Sequence, residues 1–132
     1  MKSFMMLTVA ITVGFASARF AMAEPQTPSS YSGQADYQVF CASCHGPSAK
    51  GDGVMASALR KRPADLTQLT KKNDGTFPAD AVFKTIESGH ETADMPAWSA
   101  VLSKSKESPS EEAAKARIRA LVSYLETLQP KN

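Results

Sequence analysis

The only two cysteines of the chain stand in the sequence Cys41-Ala42-Ser43-Cys44-His45, and this motif carries the clearest chemistry in the protein. C-x-x-C-H is the attachment sequence for a covalently bound haem. Two thiols three residues apart on a helical turn are neighbours, so each sulfur can add to one vinyl group of the haem. His45 can then bind the iron through one ring nitrogen, while the other donates to a backbone carbonyl. The motif therefore predicts one covalent haem.

Three other uses of paired cysteines fit the surrounding sequence less well. A dithiol redox centre of the thioredoxin kind follows a β-strand, whereas residues 32–40 lack strand alternation and have the apolar spacing of a helix. A disulfide across two intervening residues would constrain little of the chain. A structural zinc site normally takes four ligands. The set Cys41, Cys44, His45 and His90 includes two adjacent residues, which strains a tetrahedral arrangement.

Three residues outside the motif are candidates for the second axial ligand of the iron: Met55, His90 and Met95. Met55 follows His45 too closely to reach the opposite haem face without a sharp turn, so it is interpreted as a packing residue. Met95 lies in an irregular segment between two predicted helices, and Pro96 stiffens the backbone beyond it. We therefore predict His45 and Met95 as the axial pair, in which the thioether raises the reduction potential. His90 is the alternative ligand.

The N-terminus has the composition of an export signal. Lys2 precedes an apolar run from Phe4 to Ala16, and Ala21-Met22-Ala23 is a small-residue cleavage sequence. The run is shorter than the ~20 residues that a membrane span needs. We therefore predict a signal peptide over residues 1–23, cleavage after Ala23, and a periplasmic protein without stable membrane insertion. An uncleaved anchor is the alternative.

The charge of the remaining chain excludes some partners. Without residues 1–23, which contain Lys2 and Arg19, the count of Lys and Arg falls from 15 to 13 and equals the 13 Asp and Glu. A neutral domain lacks the electrostatic attraction that brings proteins to nucleic acid or to an anionic membrane. No set of residues suggests acid–base or nucleophilic catalysis, so we do not expect an enzyme.

The elements that must position the motif are predicted to be short helices. Residues 24–32 are polar and contain proline, which predicts a flexible leader before a single domain at residues 33–130. A first helix is predicted from about Gly33 to Cys44, with short helical turns over 55–60 and 66–69. A longer helix over 79–88 ends at Gly89.

The last helix has the strongest pattern. Ser108 is its predicted N-cap, followed by a proline at the first helical position and a glutamate three residues after the cap. Its apolar stripe consists of Ile118, Leu121, Val122, Leu125 and Leu128. Because no segment predicts a strand pair, the fold class is all-α, with three to five helices packed around one covalently attached haem. A chain this small buries little surface, so the haem is expected to fill its core.

From Gly33 to Leu128 the sequence resembles the small, single-haem, class I c-type cytochromes of bacteria. Gly33, Tyr37 and Cys41 follow one another at four-residue spacing, and Leu121 with Tyr124 matches paired positions of the final helix. In this family the first and last helices cross at those positions, and the glycine allows their close approach. The segment 101–108 departs from the family because it is longer and more polar than the usual connection.

Two further segments are similar to parts of that family. Residues 62–67 resemble the segment that runs under the haem, which implies the Pro63 carbonyl as acceptor for the ring N–H of His45. Residues 95–98 resemble the loop of the distal ligand, which implies Met95 as ligand and Trp98 as a residue packed near the haem edge.

The expected function is electron transfer. We predict an exported single-haem cytochrome that carries single electrons between a redox protein donor and acceptor. Two alternatives stay open: the domain is the haem subunit of a dehydrogenase or oxidase complex, or it binds a small gas if Met95 does not ligate the iron.

Overall fold

The computed structural model describes residues 31–131, apart from the side chain of Glu91, and this part of the chain contains six α-helices. They are α1 (Gly33–Phe40), α2 (Ala42–His45), α3 (Leu69–Lys72), α4 (Ala79–Ser88), α5 (Trp98–Leu102) and α6 (Glu111–Thr127). Single 3₁₀ turns lie at Ala56–Ala58, Leu66–Gln68 and Glu91–Ala93. The predicted all-α class is confirmed, since the described residues contain no strand beyond one isolated bridge.

Some sequence predictions concern residues without a described placement. The predicted signal peptide at residues 1–23 and most of the predicted leader at residues 24–32 lie outside the described residues. Between residues 31 and 131, no helix has the length and apolar character needed to cross a membrane.

Helices α1 and α6 cross at the predicted glycine. A Cβ atom added to Gly33 would lie 2.0 Å from the carbonyl oxygen of Ala120, so only a residue without a side chain permits this approach. One turn later along α1, the rings of Tyr37 and Tyr124 pack with their centroids 5.5 Å apart. The crossing implied by the family resemblance is confirmed, and it places α1, which leads into the C-x-x-C-H motif, against the longest helix.

A buried ion pair fastens the same two helices. Nε and Nη2 of Arg117 donate to the two carboxylate oxygens of Asp36 at 2.6 and 2.7 Å. The guanidinium carbon also lies 5.1 Å from the centroid of the Phe40 ring. Its hydrogen bond to Asp36 raises the pKa of Arg117 above its usual value. Removing one partner would leave the other charge buried alone, which is strongly destabilising.

Two helix boundaries differ from the predicted ones. The first helix is interrupted at Cys41, whose N–H donates to the Tyr37 carbonyl and closes α1 before α2 begins. The N-cap of α6 is Ser110, whose hydroxyl accepts from the amide of Ala113 at 3.1 Å. The prediction of Ser108 as that cap is wrong, because the buried Ser108 hydroxyl donates to the Leu102 carbonyl at 2.7 Å.

The remaining elements follow the sequence pattern closely. Helix α4 has its predicted bounds, and Gly89 closes it in a left-handed conformation with φ +71°. The predicted turns at 55–60 and 66–69 correspond to the 3₁₀ turns Ala56–Ala58 and Leu66–Gln68. Helix α5 is not predicted by the sequence, and its last two residues belong to the polar segment 101–108 in which the chain departs from the family.

Candidate functional site

One apolar cavity of about 490 Å³ opens beside the C-x-x-C-H motif. Cys41, Cys44 and His45 all line it, so the three motif residues share one face as the sequence predicts. Its other walls come from α1, the segment 59–69, α4, the segment 90–98 and α6. The motif therefore stands at the edge of a space that several separate elements enclose.

Backbone hydrogen bonds hold the motif in place. The buried hydroxyl of Tyr37 donates to the Gly46 carbonyl at 2.6 Å. The N–H groups of Gly51 and Gly53 donate to the carbonyls of His45 and Cys44 at 2.8 and 3.1 Å. These contacts fold the loop after the motif back onto it, which fixes the position of α2.

His45 is oriented by one further hydrogen bond. Its Nδ1 lies 3.1 Å from the carbonyl oxygen of Ala64. The prediction that Pro63 supplies this acceptor is wrong by one residue, because the Pro63 carbonyl lies against Gly51, where an added Cβ would come within 2.3 Å of its oxygen. Consecutive carbonyls of an extended chain point in different directions, so that of Ala64 reaches the imidazole. Pro63 itself lines the cavity.

The electrostatics of the motif favour uncharged side chains. Burial lowers the pKa of the His45 imidazole, while its hydrogen bond to Ala64 acts in the opposite direction. With Nδ1–H donating to the carbonyl, the neutral ring keeps a lone pair on Nε2, which is the form that binds a metal. Burial also raises the pKa of the Cys41 thiol to about 12, and the charges of Asp36 and Cys44 add to this. Such a thiol is a poor nucleophile at neutral pH, which disfavours dithiol redox catalysis.

Two of the three candidates for the distal ligand come from one segment of the cavity wall, residues 90–98. Met95 and His90 both line the cavity, and their backbones pair with N···O distances of 2.8 and 3.2 Å. Met95 is half-buried and packs against the core, whereas His90 is exposed and its Nδ1 lies 3.1 Å from the Thr92 hydroxyl. Met55 is 47% exposed and lies outside this cavity, so it is not the packing residue that the sequence suggested.

Trp98 contributes to the same wall. It is half-buried at the start of α5, lines the cavity, and packs against Phe40 with ring centroids 5.4 Å apart. Phe40 comes from the end of α1, so this contact links the motif to the segment that carries Met95.

One contact at this site is not predicted by the sequence. The carboxylate of Asp94 binds the side chain of Arg60 and also accepts from the Arg60 amide at 2.9 Å. The two residues are 34 positions apart in the sequence. No local signal in the sequence could have paired them.

The residues around the cavity fit a haem. The lining is largely apolar, both cysteines lie at one edge, and a neutral imidazole is oriented by its second nitrogen. A sulfur-containing residue, Met95, lines the same cavity. This set of donors suits haem iron with a covalent link at the vinyl groups.

The comparisons with known proteins agree with this site. The fold and the motif define a c-type cytochrome domain of class I, a haem protein of electron transport. The family model described as cytochrome c oxidase, cbb3-type, subunit III matches residues 30–125, and the chain belongs to that family. The family resemblance predicted from the sequence is thereby confirmed. No curated protein matches the sequence.

A solved structure has the same fold. The chain superposes on one chain of the reducing HAO-like protein complex of Kuenenia stuttgartiensis with a TM-score of 0.56 and 20% sequence identity. The match covers 77% of this chain and 44% of that one, so this chain spans less than half of its length. At this identity the likeness concerns the fold alone.

Proposed function

We propose that this protein is an exported electron carrier that holds one haem through Cys41 and Cys44, with His45 and Met95 as axial ligands. The observation that carries the proposal is that the whole C-x-x-C-H motif and Met95 line the same cavity. The bound haem supplies one-electron exchange at its iron. Donor and acceptor would be redox proteins, and the compartment would be the periplasm.

The side chains around the cavity would bind and orient the haem and keep water away from it. The two thiols would tether the ring, and the Ala64 carbonyl keeps the His45 imidazole in one orientation. Apolar walls lower the local dielectric constant, which strengthens electrostatic interactions with any charge on the bound group. Met95 is preferred over His90 because it is half-buried in the wall, whereas the histidine is exposed.

A second candidate function is supported by the family itself. The matching family model is described as subunit III of a cbb3-type oxidase. By that likeness, this domain would pass electrons within a larger oxidoreductase rather than diffuse between partners. Co-purification with such a partner at fixed stoichiometry, stable to high salt, would favour this second candidate over the free carrier.

The first experiment tests the covalent link and export. Haem should stay on the polypeptide in denaturing gel electrophoresis, and the protein should be recovered from the periplasm with Glu24 as its first residue. Cys44→Ser should leave one link at most and sharply lower the yield of haem protein. Haem that denaturant releases completely from the wild-type protein would contradict the proposal.

The second experiment tests the distal ligand. The oxidised protein should show a sulfur-to-iron charge-transfer band that is lost in Met95→Ala, together with a lower reduction potential. Met55→Leu is the matched control, since Met55 lies outside the cavity, and it should change neither property. If His90→Ala abolishes six-coordination while Met95→Ala leaves the spectrum intact, the histidine is the ligand.

The third experiment separates a carrier from an enzyme or a gas sensor. Small mediators should reduce and reoxidise the purified protein rapidly, without turnover of a substrate. The reduced protein should bind carbon monoxide slowly, because Met95 must leave the iron first. Rapid, tight binding of the gas by the wild-type protein would favour a sensor.

A further inference from the structure

Asp94 and Arg60 form a contact that joins two separate parts of the cavity wall. The Arg60 amide donates to Oδ2 of Asp94 at 2.9 Å, and Nε donates to Oδ1 at 2.7 Å. Nη2 of the same guanidinium donates to Oδ1 as well. Backbone and side chain of one residue thus hold a single carboxylate, which is a more defined arrangement than an ordinary surface ion pair.

Asp94 lies next to Met95 in the chain, so its contact with Arg60 acts directly on the loop that carries Met95. Asp94 immediately precedes Met95 and has a left-handed backbone, with φ +57°, which is unfavourable for a residue with a side chain. Gly89 closes the other end of the loop, since its added Cβ would lie 2.6 Å from the Met95 carbonyl oxygen. The two ends of the loop that carries Met95 therefore lie close together at Gly89, and the contact of Asp94 with Arg60 connects the loop to the segment 60–64.

The position of Arg60 is equally informative. Arg60 begins the segment 60–64, at the end of which the Ala64 carbonyl accepts from His45. Residues 61–64 of this segment line the cavity. The same short stretch of backbone therefore supports His45 at one end and binds Asp94, the neighbour of Met95, at the other.

We propose that the contact between Arg60 and Asp94 positions Met95 and slows its departure from the iron. This inference rests on the proposed function, in which Met95 is the distal ligand. Movement of the Met95 loop away from the segment 60–64 makes departure of Met95 from the iron easier, and that movement stretches or breaks the hydrogen bonds to Asp94. The contact therefore stabilises the ligated form relative to the open form. Arg60 and Asp94 are positioning residues, which act on the iron only through Met95.

The expected effect is moderate because the pair is accessible to water. The side chain of Arg60 is 68% exposed and that of Asp94 is 27% exposed. Exposed ion pairs contribute little to stability, so removing this one should accelerate the release of Met95 by about two- to five-fold. The pair should also be screened by salt.

The test measures binding of carbon monoxide to the reduced haem protein at saturating gas, where the rate equals that of Met95 release. Arg60→Met and Asp94→Ala should each raise this rate about two- to five-fold. Asp94→Asn should have a smaller effect, because its amide oxygen still accepts from the Arg60 amide. The double variant Arg60→Met with Asp94→Ala should be no faster than the more affected single variant, as expected for residues that act as a pair.

The matched control is Arg119→Met. Arg119 forms an exposed ion pair with Glu112 at 3.5 Å on α6, so this variant removes the same kind of charge away from the loop. It should leave the rate of carbon monoxide binding unchanged. High salt should raise the rate in the wild-type protein and have little effect in Arg60→Met.

Two results separate the possible failures. If Met95→Ala leaves the charge-transfer band intact, the ligand assignment fails, and this inference fails with it. If Met95→Ala removes the band but Arg60→Met binds carbon monoxide at the rate of Arg119→Met, the ligand assignment holds and the positioning role is overturned.

Discussion

The two walls of the cavity are held by different kinds of contact. The motif wall, residues 41–64, is fixed by short-range backbone hydrogen bonds around Gly46, Gly51 and Gly53. The loop wall, residues 89–98, is held by the backbone bridge between His90 and Met95 and by the exposed contact of Asp94 with Arg60. The motif wall is thus determined locally, while the loop wall depends on a partner distant in sequence.

This difference indicates which wall affects the stability of the domain and which affects ligand exchange and the reduction potential. Changing the motif wall disturbs the backbone hydrogen bonds that hold the loop after the motif, so its substitutions should cost stability. Changing the loop wall leaves most of the fold intact, so its substitutions should alter ligand exchange and potential instead. We therefore expect the reactivity of the domain to be tuned on the loop wall.

The largest effect is expected from Gly51→Ala in the motif wall. Gly51 has φ +76°, and an added Cβ would lie 2.3 Å from the Pro63 carbonyl oxygen. The backbones at Gly51 and Pro63 cannot move apart without breaking the hydrogen bonds around them. The free energy of unfolding should therefore fall by about 3 kcal/mol, as measured by denaturant titration. Gly75→Ala is the control, with φ +85° and open space around it. It should lose only about 1 kcal/mol; equal losses would mean that the contact with Pro63 is unimportant.

A smaller loss of stability is expected from Gly89→Ala in the loop wall. An added Cβ would meet the backbone of Met95 and its successors at 2.5 to 2.6 Å. This loop can shift as a unit, so the cost should be about 2 kcal/mol. The displaced Met95 should weaken the charge-transfer band, which visible spectroscopy measures. An unchanged band would show that the substitution does not displace Met95, and it would contradict the expected shift of the loop wall.

A third prediction concerns the buried hydroxyl of α1 that binds the motif wall. Tyr37→Phe leaves the Gly46 carbonyl without its 2.6 Å hydrogen bond. The free energy of unfolding should fall by about 1.5 kcal/mol. Tyr31→Phe removes an exposed hydroxyl from the carbonyl of Glu107 and should have a smaller effect. Equal effects would contradict the assignment of a structural role to Tyr37.

The smallest effect is expected from Ser99→Ala, at the residue that directly follows the loop wall. The Ser99 hydroxyl donates to the Glu87 carbonyl at 2.8 Å and ties α5 to α4. Because this site is only partly buried, water can replace the hydroxyl, and the loss should be about 0.5 kcal/mol. A loss equal to that of Tyr37→Phe in the same titration would remove the distinction between the two walls.

The contacts that the sequence predicts are those that depend on nearby residues. The C-x-x-C-H spacing places Cys41, Cys44 and His45 on one cavity wall, and the apolar pattern gives the bounds of α4 correctly. The glycine at the crossing of α1 with α6 was found through the family resemblance. The roles of the individual site residues in binding haem stay predictions.

The features that the sequence does not predict depend on distant partners. The choice of Ala64 over Pro63 is decided by packing against Gly51, which no local pattern encodes. The cap of α6 shifts from Ser108 to Ser110 because the first hydroxyl binds α5, a helix too short to be recognised. The buried pair of Asp36 with Arg117 and the exposed pair of Asp94 with Arg60 likewise join separate parts of the chain.

The pairing of α1 with α6 also has a consequence for the order of assembly. Asp36 and Arg117 are 81 positions apart, so a long loop must close before the buried contacts offset its entropy. In a chain that is exported N-terminus first, Cys41 and Cys44 arrive while α6 is still absent and nothing covers α1. We expect haem attachment to precede closure of the domain. A chain truncated before α6 tests this order, since it should acquire covalent haem and yet fail to fold.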